Sequence, residues 1–343
     1  MLEDFASAES SPDACWPGEA WQMVEDIEAA GWSVDRLNQV FVHAGTIATD
    51  ALMIVQGGQV LASQGDMTHR FKCHSMRKSF LSALIGLYVE SGEIDLSLTM
   101  AQLDIDDRDG LSEPEKQATI YDLLTARSGI YHPAGYETPW MRSIKPVRHA
   151  YAPGTWWCYN NWDFNALGTI FTRLTGLGIH SAFDERIAKP LGMQDFRFTA
   201  ESQDGWLEPS DRSRHPAYPF RMSTRDLARF GLLFLRDGHW RKRQVVPANW
   251  TASSVLPYSD AGPRGAYGYM WWVTRCGVGF PGVVSPEGTY SARGAGGHYC
   301  VVIPALDLVI VHRVDTDQRG REVNRFQFGE LLRLILGARR HHS

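Results

Sequence analysis

The sequence predicts an α/β (α+β) protein in which an antiparallel sheet is flanked by helices and a mostly helical lobe is inserted. Strand-like and helical segments alternate near both ends of the chain. Between about residues 99 and 219 the pattern changes to short helices joined by loops rich in proline and glycine. Because a change from mixed strands and helices to short helices indicates two differently built parts around a core, we expect one domain with two lobes over 1–343. Its sheet lobe would comprise 18–98 and 220–343, and its helical lobe 99–219.

Apolar periodicity and turn residues place the individual elements. Apolar residues recur at helical spacing in several segments, and short apolar runs bounded by glycine indicate strands. Gln56-Gly57-Gly58 separates two such runs and predicts a hairpin turn. The predicted helices cover 13–30, 33–44, 75–91, 119–126, 162–175, 223–236 and 321–336. The predicted strands cover 51–55, 59–63, 267–274, 289–293, 298–303 and 308–313.

Composition excludes several classes of protein. Of the 343 residues, 44% are hydrophobic and 21% are charged, and the net charge is −5 without a dense Lys/Arg stripe. No apolar run approaches the ~20 residues that cross a bilayer, so we expect neither a nucleic-acid nor a membrane partner. The five scattered cysteines form no Cys-x-x-Cys pair, which argues against a disulfide framework or a zinc site. The acidic N-terminus lacks secretory features, so a cytoplasmic location is expected.

The segment from Cys73 to Val89 contains the first candidate chemistry. Ser75 and Lys78 are three residues apart at the start of a helix that is apolar on almost every side, so both lie on one face. Burial disfavours an ammonium group, which makes Lys78 a candidate base. Two interpretations stay open from these residues alone. Ser75 and Lys78 are a nucleophile and its activator, or Ser75 only caps the helix and Lys78 is solvated.

Two later segments offer groups that a nucleophile needs. Residues 152–161 place a Pro-Gly turn before several aromatic residues and Tyr159-Asn160-Asn161. A phenol can relay a proton, and an amide can hold a carbonyl. Residues 291–298 read Ser-Ala-Arg-Gly-Ala-Gly-Gly-His between two predicted strands, and glycine lets a backbone approach a ligand closely. Alone, the first segment also fits an aromatic core and the second a plain hairpin turn.

Together and in this order, the three segments resemble the motifs of the serine β-lactamase and penicillin-binding-protein superfamily, in particular its class C and esterase-like branch. Segments 119–130, 153–161, 190–193 and 223–231 also resemble family sequence. The resemblance covers roughly residues 51–313. It implies the β-lactamase/transpeptidase-like fold and a single catalytic domain.

The resemblance implies a serine hydrolase that works through an acyl-enzyme. Ser75 would be the acylated nucleophile, Lys78 the base beside it and Tyr159 a shared proton carrier. Asn161 would contact the substrate or Lys78.

Backbone groups would complete the site that the resemblance implies. The N–H groups of Ser75 and Ala295 would form the oxyanion hole, and Gly294 would lie against the substrate. Aromatic residues are candidates for the acyl pocket, although each also fits a core position: Tyr131, Trp140, Trp156, Trp157 and Trp162. We expect His74 at the site entrance and a structural role for His298.

The third motif departs from the family pattern. Lactamase and transpeptidase members usually begin it with Lys or His, which helps to bind the substrate carboxylate, whereas this chain has Ala292. The adjacent Arg293 is expected on the other face of the strand. This departure favours the carboxylesterases, D-amino-acid amidases and nylon-oligomer hydrolases of the branch.

We therefore expect a small-molecule ester or amide substrate and neither cofactor nor metal. The alternatives are a penicillin-recognising D-amino-acid peptidase or β-lactamase, and a low-activity scaffold of the same fold. The G-x-G-x-x-G pattern at 277–282 has no following helix to receive a pyrophosphate, so we do not expect a dinucleotide site there.

Overall fold

A computed structural model describes residues 15–340 and contains helices and strands throughout. The helices are α1 (Val34–Thr46), α2 (Arg77–Glu90), α3 (Ile120–Leu124), α4 (Pro139–Ile144), α5 (Asn161–Thr175), α6 (Ile179–Phe183), α7 (Lys189–Leu191), α8 (Thr224–Leu235), α9 (Ala248–Ser254) and α10 (Arg325–Gly337). The strands are β1 (Ala51–Gln56), β2 (Gln59–Gly65), β3 (Phe71–Lys72), β4 (Glu208–Ser210), β5 (Ser213–Ala217), β6 (Arg221–Met222), β7 (His239–Trp240), β8 (Arg243–Gln244), β9 (Ser259–Asp260), β10 (Ala266–Tyr267), β11 (Trp272–Val273), β12 (Tyr290–Gly294), β13 (His298–Ile303) and β14 (Leu308–Arg313).

An eight-stranded antiparallel sheet organises the fold, in the order β2-β1-β14-β13-β12-β11-β10-β9. Side chains alternate between its faces. Leu52 and Ile54 of β1 pack with α1 and α10, whereas Met53 and Val55 join the core that contains α2 and α8. The sheet is therefore covered by helices on both faces, and the predicted fold class is confirmed. The segment 99–219 contributes no strand to this sheet.

The first hairpin follows directly from its turn residues. Gly57 and Gly58 have φ angles of 61° and 83°, the left-handed conformation that a two-residue type I′ turn requires at both positions. The turn pairs β1 with β2, and β1 also pairs with β14. The hairpin predicted over 51–63 is confirmed.

The predicted helix over 13–30 is wrong for residues 15–30, and residues 13 and 14 lie outside the described part of the chain. This segment instead runs beside β2, where Val24 N–H donates to Val60 O at 2.9 Å and Val60 N–H to Gln22 O at 2.8 Å. An edge strand offers unpaired backbone groups, and their pairing replaces the local helical preference.

Other boundaries differ for local reasons. The predicted strand 267–274 is interrupted between β10 and β11 by a turn in which Gly268 N–H donates to Trp271 O. The last helix begins only at Arg325, because Asn324 accepts hydrogen bonds from the next turn and forms a capping box with Gln327.

Helix α2 is held by aromatic side chains from several elements. Phe80 contacts the rings of Phe183, Phe220 and Phe230 with centroid separations of 4.9–5.3 Å. The helix also contacts α5, α6 and α9, which explains its apolar circumference. Among residues 15–340, the helices are all too short or too polar to cross a membrane.

Gly86 of α2 gives a test of this packing. A methyl group added there would lie 2.3 Å from ring atoms of Trp250, so Gly86→Ala should lower the free energy of unfolding by about 1–3 kcal/mol. Gly45→Ala in α1 is the control, because nothing lies within 4 Å of its added methyl and alanine favours a helix by roughly 0.5–1 kcal/mol. Urea unfolding measures both, and equal stability of the two variants would contradict the packing.

Candidate active site

A pocket of about 220 Å³ opens where the N-terminal end of α2 meets the end of β12. Ser75 and Tyr159 lie in its wall, together with the loop that follows β12. Arg293 and Gly294 at the end of β12 also line it, and the remaining lining residues come from elsewhere in the chain: Thr138, Trp140, Met141, Arg264, Trp272, Gly279, Phe280, Pro281, Tyr299, Glu322, Val323, Asn324 and Arg325.

Ser75 lies in a 3₁₀ turn, His74–Met76, that precedes α2. The N-cap of α2 is Met76, and it makes no side-chain capping bond. The alternative interpretation, in which Ser75 only caps the helix, is therefore wrong. His74 has a φ of 46°, which is uncommon for a residue with a side chain. This tight turn leaves the Ser75 hydroxyl free to face the pocket.

The Lys78 amine lies 2.7 Å from Ser75 Oγ and forms a hydrogen bond with it. The side chain is 1% exposed, and burial, followed by the nearby Arg77 charge, lowers the pKa of Lys78 well below its ordinary value of 10.5. The amine also lies 4.8 Å from the ring centroids of Tyr159 and Phe164. Within residues 15–340 it has no carboxylate partner in an ion pair. The surroundings therefore favour the neutral amine.

Tyr159 is buried beside the same serine. Burial raises the pKa of Tyr159 to about 12, and a hydrogen bond with Ser75 acts in the opposite direction. The phenol is consequently protonated at neutral pH. Two titratable groups around one hydroxyl thus have pKa values displaced in opposite directions, an arrangement that separates a base from an acid.

Asn161 lies two residues after Tyr159, but its side chain forms its hydrogen bonds away from Ser75 and Lys78. Its Nδ2 donates to the carbonyl oxygens of Gly135 and Tyr136, at 3.3 and 2.6 Å, and its Oδ1 is buried without a partner among the described residues. The structure contains no hydrogen bond between Asn161 and Lys78. Asn161 therefore holds the 135–136 loop and does not line the pocket.

The third motif reaches the turn that carries Ser75 through Gly294. A Cβ added at Gly294 would lie 2.6 Å from the carbonyl oxygen of Cys73, so only glycine allows β12 to approach this closely. Gly294 and the exposed Ala295 both line the pocket. Their backbone is therefore within reach of a group bound at Ser75.

Arg293 lines the pocket, contrary to the expectation that it would face away. The alternation along β12 is as predicted, because Ala292 opposite Cys300 belongs to the α2-side core. The site simply opens towards the face on which Arg293 lies. Its Nε donates to Ser291 Oγ at 2.8 Å, and its guanidinium lies 4.3 Å from the ring centroid of Phe280.

Of the aromatic pocket candidates, the structure places only Trp140 in the pocket wall. Trp162 is fully buried and donates to Asp107. Trp156 is 48% exposed and stacks on Tyr151.

The other two aromatic candidates do not line the pocket either. Trp157 contacts the ring of Trp272 edge-on, and Tyr131 is buried. Neither residue therefore belongs to the pocket wall.

His74 and His298 lie close together, with ring centroids 5.1 Å apart. His74 binds Thr316 and does not line the pocket. His298 is fully buried, in agreement with the structural role expected for it.

Arg264 and Arg325 were missed by sequence reasoning, as was Phe280 in the rejected G-x-G-x-x-G segment. Arg264 lies in a short 3₁₀ turn, Gly262–Arg264, and Arg325 is the first residue of α10. Neither belongs to a motif, and both reach the pocket through tertiary packing alone. No local sequence signal would have identified them.

Comparison with known proteins agrees with this fold. A family model described as Beta-lactamase matches residues 34–328. A solved structure described as a proposed 6-aminohexanoate-dimer hydrolase from Bacillus anthracis is similar, with 20% identity and a TM-score of 0.65 over 96% of this chain and 88% of that one. A penicillin binding protein from Bacillus halodurans has 16% identity and a TM-score of 0.62, covering 87% of this chain and 99% of that one.

A third similar structure, EstCE1, is described as a hydrolase with promiscuous acyltransferase activity. It has 16% identity and a TM-score of 0.62, over 89% of this chain and 99% of that one. Fold and site together define a β-lactamase-like hydrolase. The family match covers most of the chain, and the chain belongs to the beta-lactamase family.

The buried amine predicts a pH-dependent effect on stability. Because the folded state has a Lys78 pKa below 10.5, the unfolded state binds more protons between the two values, and stability falls as the pH is lowered through this window. Lys78→Met should therefore be more stable than the wild type at neutral pH, with a difference that shrinks towards pH 10.5.

Urea unfolding across this range measures the difference. Lys242→Met, at an exposed lysine, should follow the wild type throughout. A constant or inverted difference for Lys78→Met would mean that the folded protein keeps this lysine charged.

Proposed function

We propose that this protein is a serine hydrolase that cleaves an ester or amide bond of a small anionic substrate through an acyl-enzyme on Ser75. The observation that carries the proposal is the 2.7 Å hydrogen bond between Lys78 Nζ and Ser75 Oγ in a buried site. A neutral amine at this distance can accept the serine proton as the oxygen attacks a carbonyl carbon.

The acylation step uses the two displaced pKa values. Ser75 Oγ bonds to the carbonyl carbon while its proton passes to Lys78, and the carbonyl oxygen becomes an oxyanion. Tyr159, protonated because burial raises its pKa to about 12, donates a proton to the leaving group as its bond to carbon breaks. The phenolate recovers a proton from the Lys78 ammonium. Water then attacks the ester of Ser75 by the reverse sequence of proton transfers.

Two backbone N–H groups are proposed to bind the oxyanion, those of Ser75 and Ala295. Both residues line the same pocket, and Gly294 brings their segments together. Removing one donor of such a site typically costs ~10²–10³ in rate. The oxyanion hole therefore accounts for a large share of the expected acceleration.

Three arginines support an anionic substrate. Arg264, Arg293 and Arg325 line the pocket, and within residues 15–340 none of them forms an ion pair with a carboxylate. Burial lowers the pKa of Arg293 to about 10, which still leaves it charged at neutral pH. The pocket lining also contains one carboxylate, Glu322, and the remaining excess of positive charge favours an anion. Arginine pairs well with carboxylates.

Arg293 also gives some support to the penicillin-recognising alternative, because it places a cation near the position where the family usually has Lys or His. Labelling with a fluorescent penicillin distinguishes a penicillin-recognising enzyme from the proposed ester or amide hydrolase. We expect little or no labelling, and stoichiometric labelling of Ser75 would favour a penicillin-recognising enzyme.

Intact-protein mass after brief exposure to a short p-nitrophenyl ester tests the nucleophile and the base. The wild type should gain one acyl group or release a burst of p-nitrophenol. Ser75→Ala should do neither, since it lacks the attacking oxygen. Lys78→Ala should fold but lose ester turnover, because no base remains within reach of Ser75.

Acylation of Ser75→Ala would place the nucleophile elsewhere, and near-wild-type turnover by Lys78→Ala would remove the assigned base. Absence of any adduct or turnover with either esters or amides would favour the low-activity scaffold.

Substrate charge is tested with two esters of equal chain length. Mono-p-nitrophenyl glutarate carries a free carboxylate, and p-nitrophenyl valerate does not. Arg264→Gln should lower kcat/KM for the glutarate ester roughly tenfold, as expected for losing one charge-assisted hydrogen bond, and leave valerate hydrolysis nearly unchanged. The control is Arg319→Gln, at an exposed arginine outside the pocket. An equal effect on both esters would contradict carboxylate recognition.

A further inference from the structure

Thr316 lies between the two segments that carry the proposed oxyanion donors. Its Oγ1 is 2.7 Å from Nε2 of His74, the residue before Ser75. Its methyl group lies against Gly296, the residue after Ala295, since a Cβ added at Gly296 would be 2.4 Å from Thr316 Cγ2. One side chain therefore contacts the residue before one proposed oxyanion donor and the residue after the other.

A second imidazole shares the same hydroxyl group. Nε2 of His298, at the start of β13, is 3.5 Å from Thr316 Oγ1, and the rings of His74 and His298 have centroids 5.1 Å apart. The Thr316 hydroxyl thus bridges His74, in the turn that carries Ser75, and His298, at the start of the strand that follows the loop 295–297.

Arg313 sets the direction of the hydrogen bonds. Its Nε donates to Nδ1 of His298 at 3.0 Å, because a guanidinium has no acceptor. A neutral His298 then carries its proton on Nε2 and donates to Thr316 Oγ1. The single hydroxyl proton of Thr316 remains for Nε2 of His74, whose own proton is on Nδ1.

The surroundings keep both imidazoles neutral. Burial lowers the pKa of His74 to about 4, and it holds the pKa of His298 well below its usual range. Positive charge from Arg313 lowers the pKa of both rings, and the charge of Lys72 also lowers that of His74 while Asp317 opposes it. The hydrogen-bond order above therefore holds at neutral pH.

Arg313 also fixes the chain that leads into the nucleophile turn. It is fully buried, and it donates to the carbonyl oxygens of Phe71, Lys72 and Met222 at 2.9–3.1 Å. The network from Arg313 to His74 consequently has a rigid anchor at one end and the residue beside Ser75 at the other.

We infer that Thr316 is a positioning residue, which fixes the separation of the Ser75 and Ala295 N–H groups by holding His74 and Gly296 together. This inference rests on the proposed function of the same site. His74 has a left-handed backbone, and such a conformation persists only when neighbouring contacts hold it. Thr316 itself does not line the pocket, so its effect on the reaction passes through the backbone.

Thr316→Val tests the inference because valine keeps the shape and removes the hydroxyl. An oxyanion donor that moves out of place weakens binding of the transition state but not of the substrate. We expect kcat for ester acylation to fall roughly 10- to 100-fold, with KM little changed. Thr316→Ser keeps the hydroxyl that binds His74 and loses only the methyl contact with Gly296, so it should slow acylation less than Thr316→Val.

Thr251→Val is the matched control. Thr251 is buried on α9 and donates to Ala248 O at 2.8 Å, so its loss should reduce stability without slowing acylation. Wild-type kcat in Thr316→Val, or equal slowing by Thr316→Ser and Thr316→Val, would overturn the inference.

Imidazole ¹⁵N NMR separates this inference from the proposed function. Wild-type His74 should show an unprotonated Nε2 and a protonated Nδ1, and Thr316→Val should lose this fixed tautomer. If the wild type forms no acyl adduct, the proposed function fails. The spectra still decide whether Thr316 holds His74, because an unchanged His74 spectrum in Thr316→Val contradicts the bridge.

Discussion

Burial of the Lys78 amine against the Ser75 hydroxyl is the constraint on which the rest of the structure depends. An amine in this position stays neutral only if water and carboxylates are kept away, and α2 achieves this because other elements surround it on every side. The aromatic cluster around Phe80 and the packing of Gly86 against Trp250 serve the same purpose. A buried basic group reduces stability, so the large two-faced core supports a local arrangement that is unfavourable on its own.

The site combines segments that are far apart in sequence. The sheet places β12 beside the turn that carries Ser75, and the absence of a side chain at Gly294 permits the contact with Cys73. The first residue of α5 follows Tyr159 closely, so the phenol approaches the same hydroxyl from the helical segment. Ser75, Tyr159 and Gly294 lie at or next to the ends of helices and strands, and the short irregular segments there bring these residues to one pocket.

Local sequence patterns predicted much of the fold and part of the candidate site. The hairpin at Gly57-Gly58 and the bounds of β13 and β14 follow from turn residues and alternation. The three-residue spacing of Ser75 and Lys78 predicted their proximity, although Ser75 lies in a 3₁₀ turn before α2. Residues 15–30 were mispredicted because an edge strand offered backbone partners that sequence periodicity does not reveal. Arg264 and Arg325 were missed for a related reason, since only tertiary packing brings their segments to the pocket.

The origin of the three pocket arginines has a consequence for how this protein can change. Arg264 belongs to a surface turn, Arg293 to a strand and Arg325 to the start of the last helix, whereas Ser75, Lys78 and Tyr159 lie in or beside the interior. Under the proposed function, substitutions in the turn or at the helix start would alter which molecules are accepted without disturbing the buried reactive groups. Selectivity and reactivity would then belong to separable parts of the chain, so that substrate preference can change while the reaction stays the same.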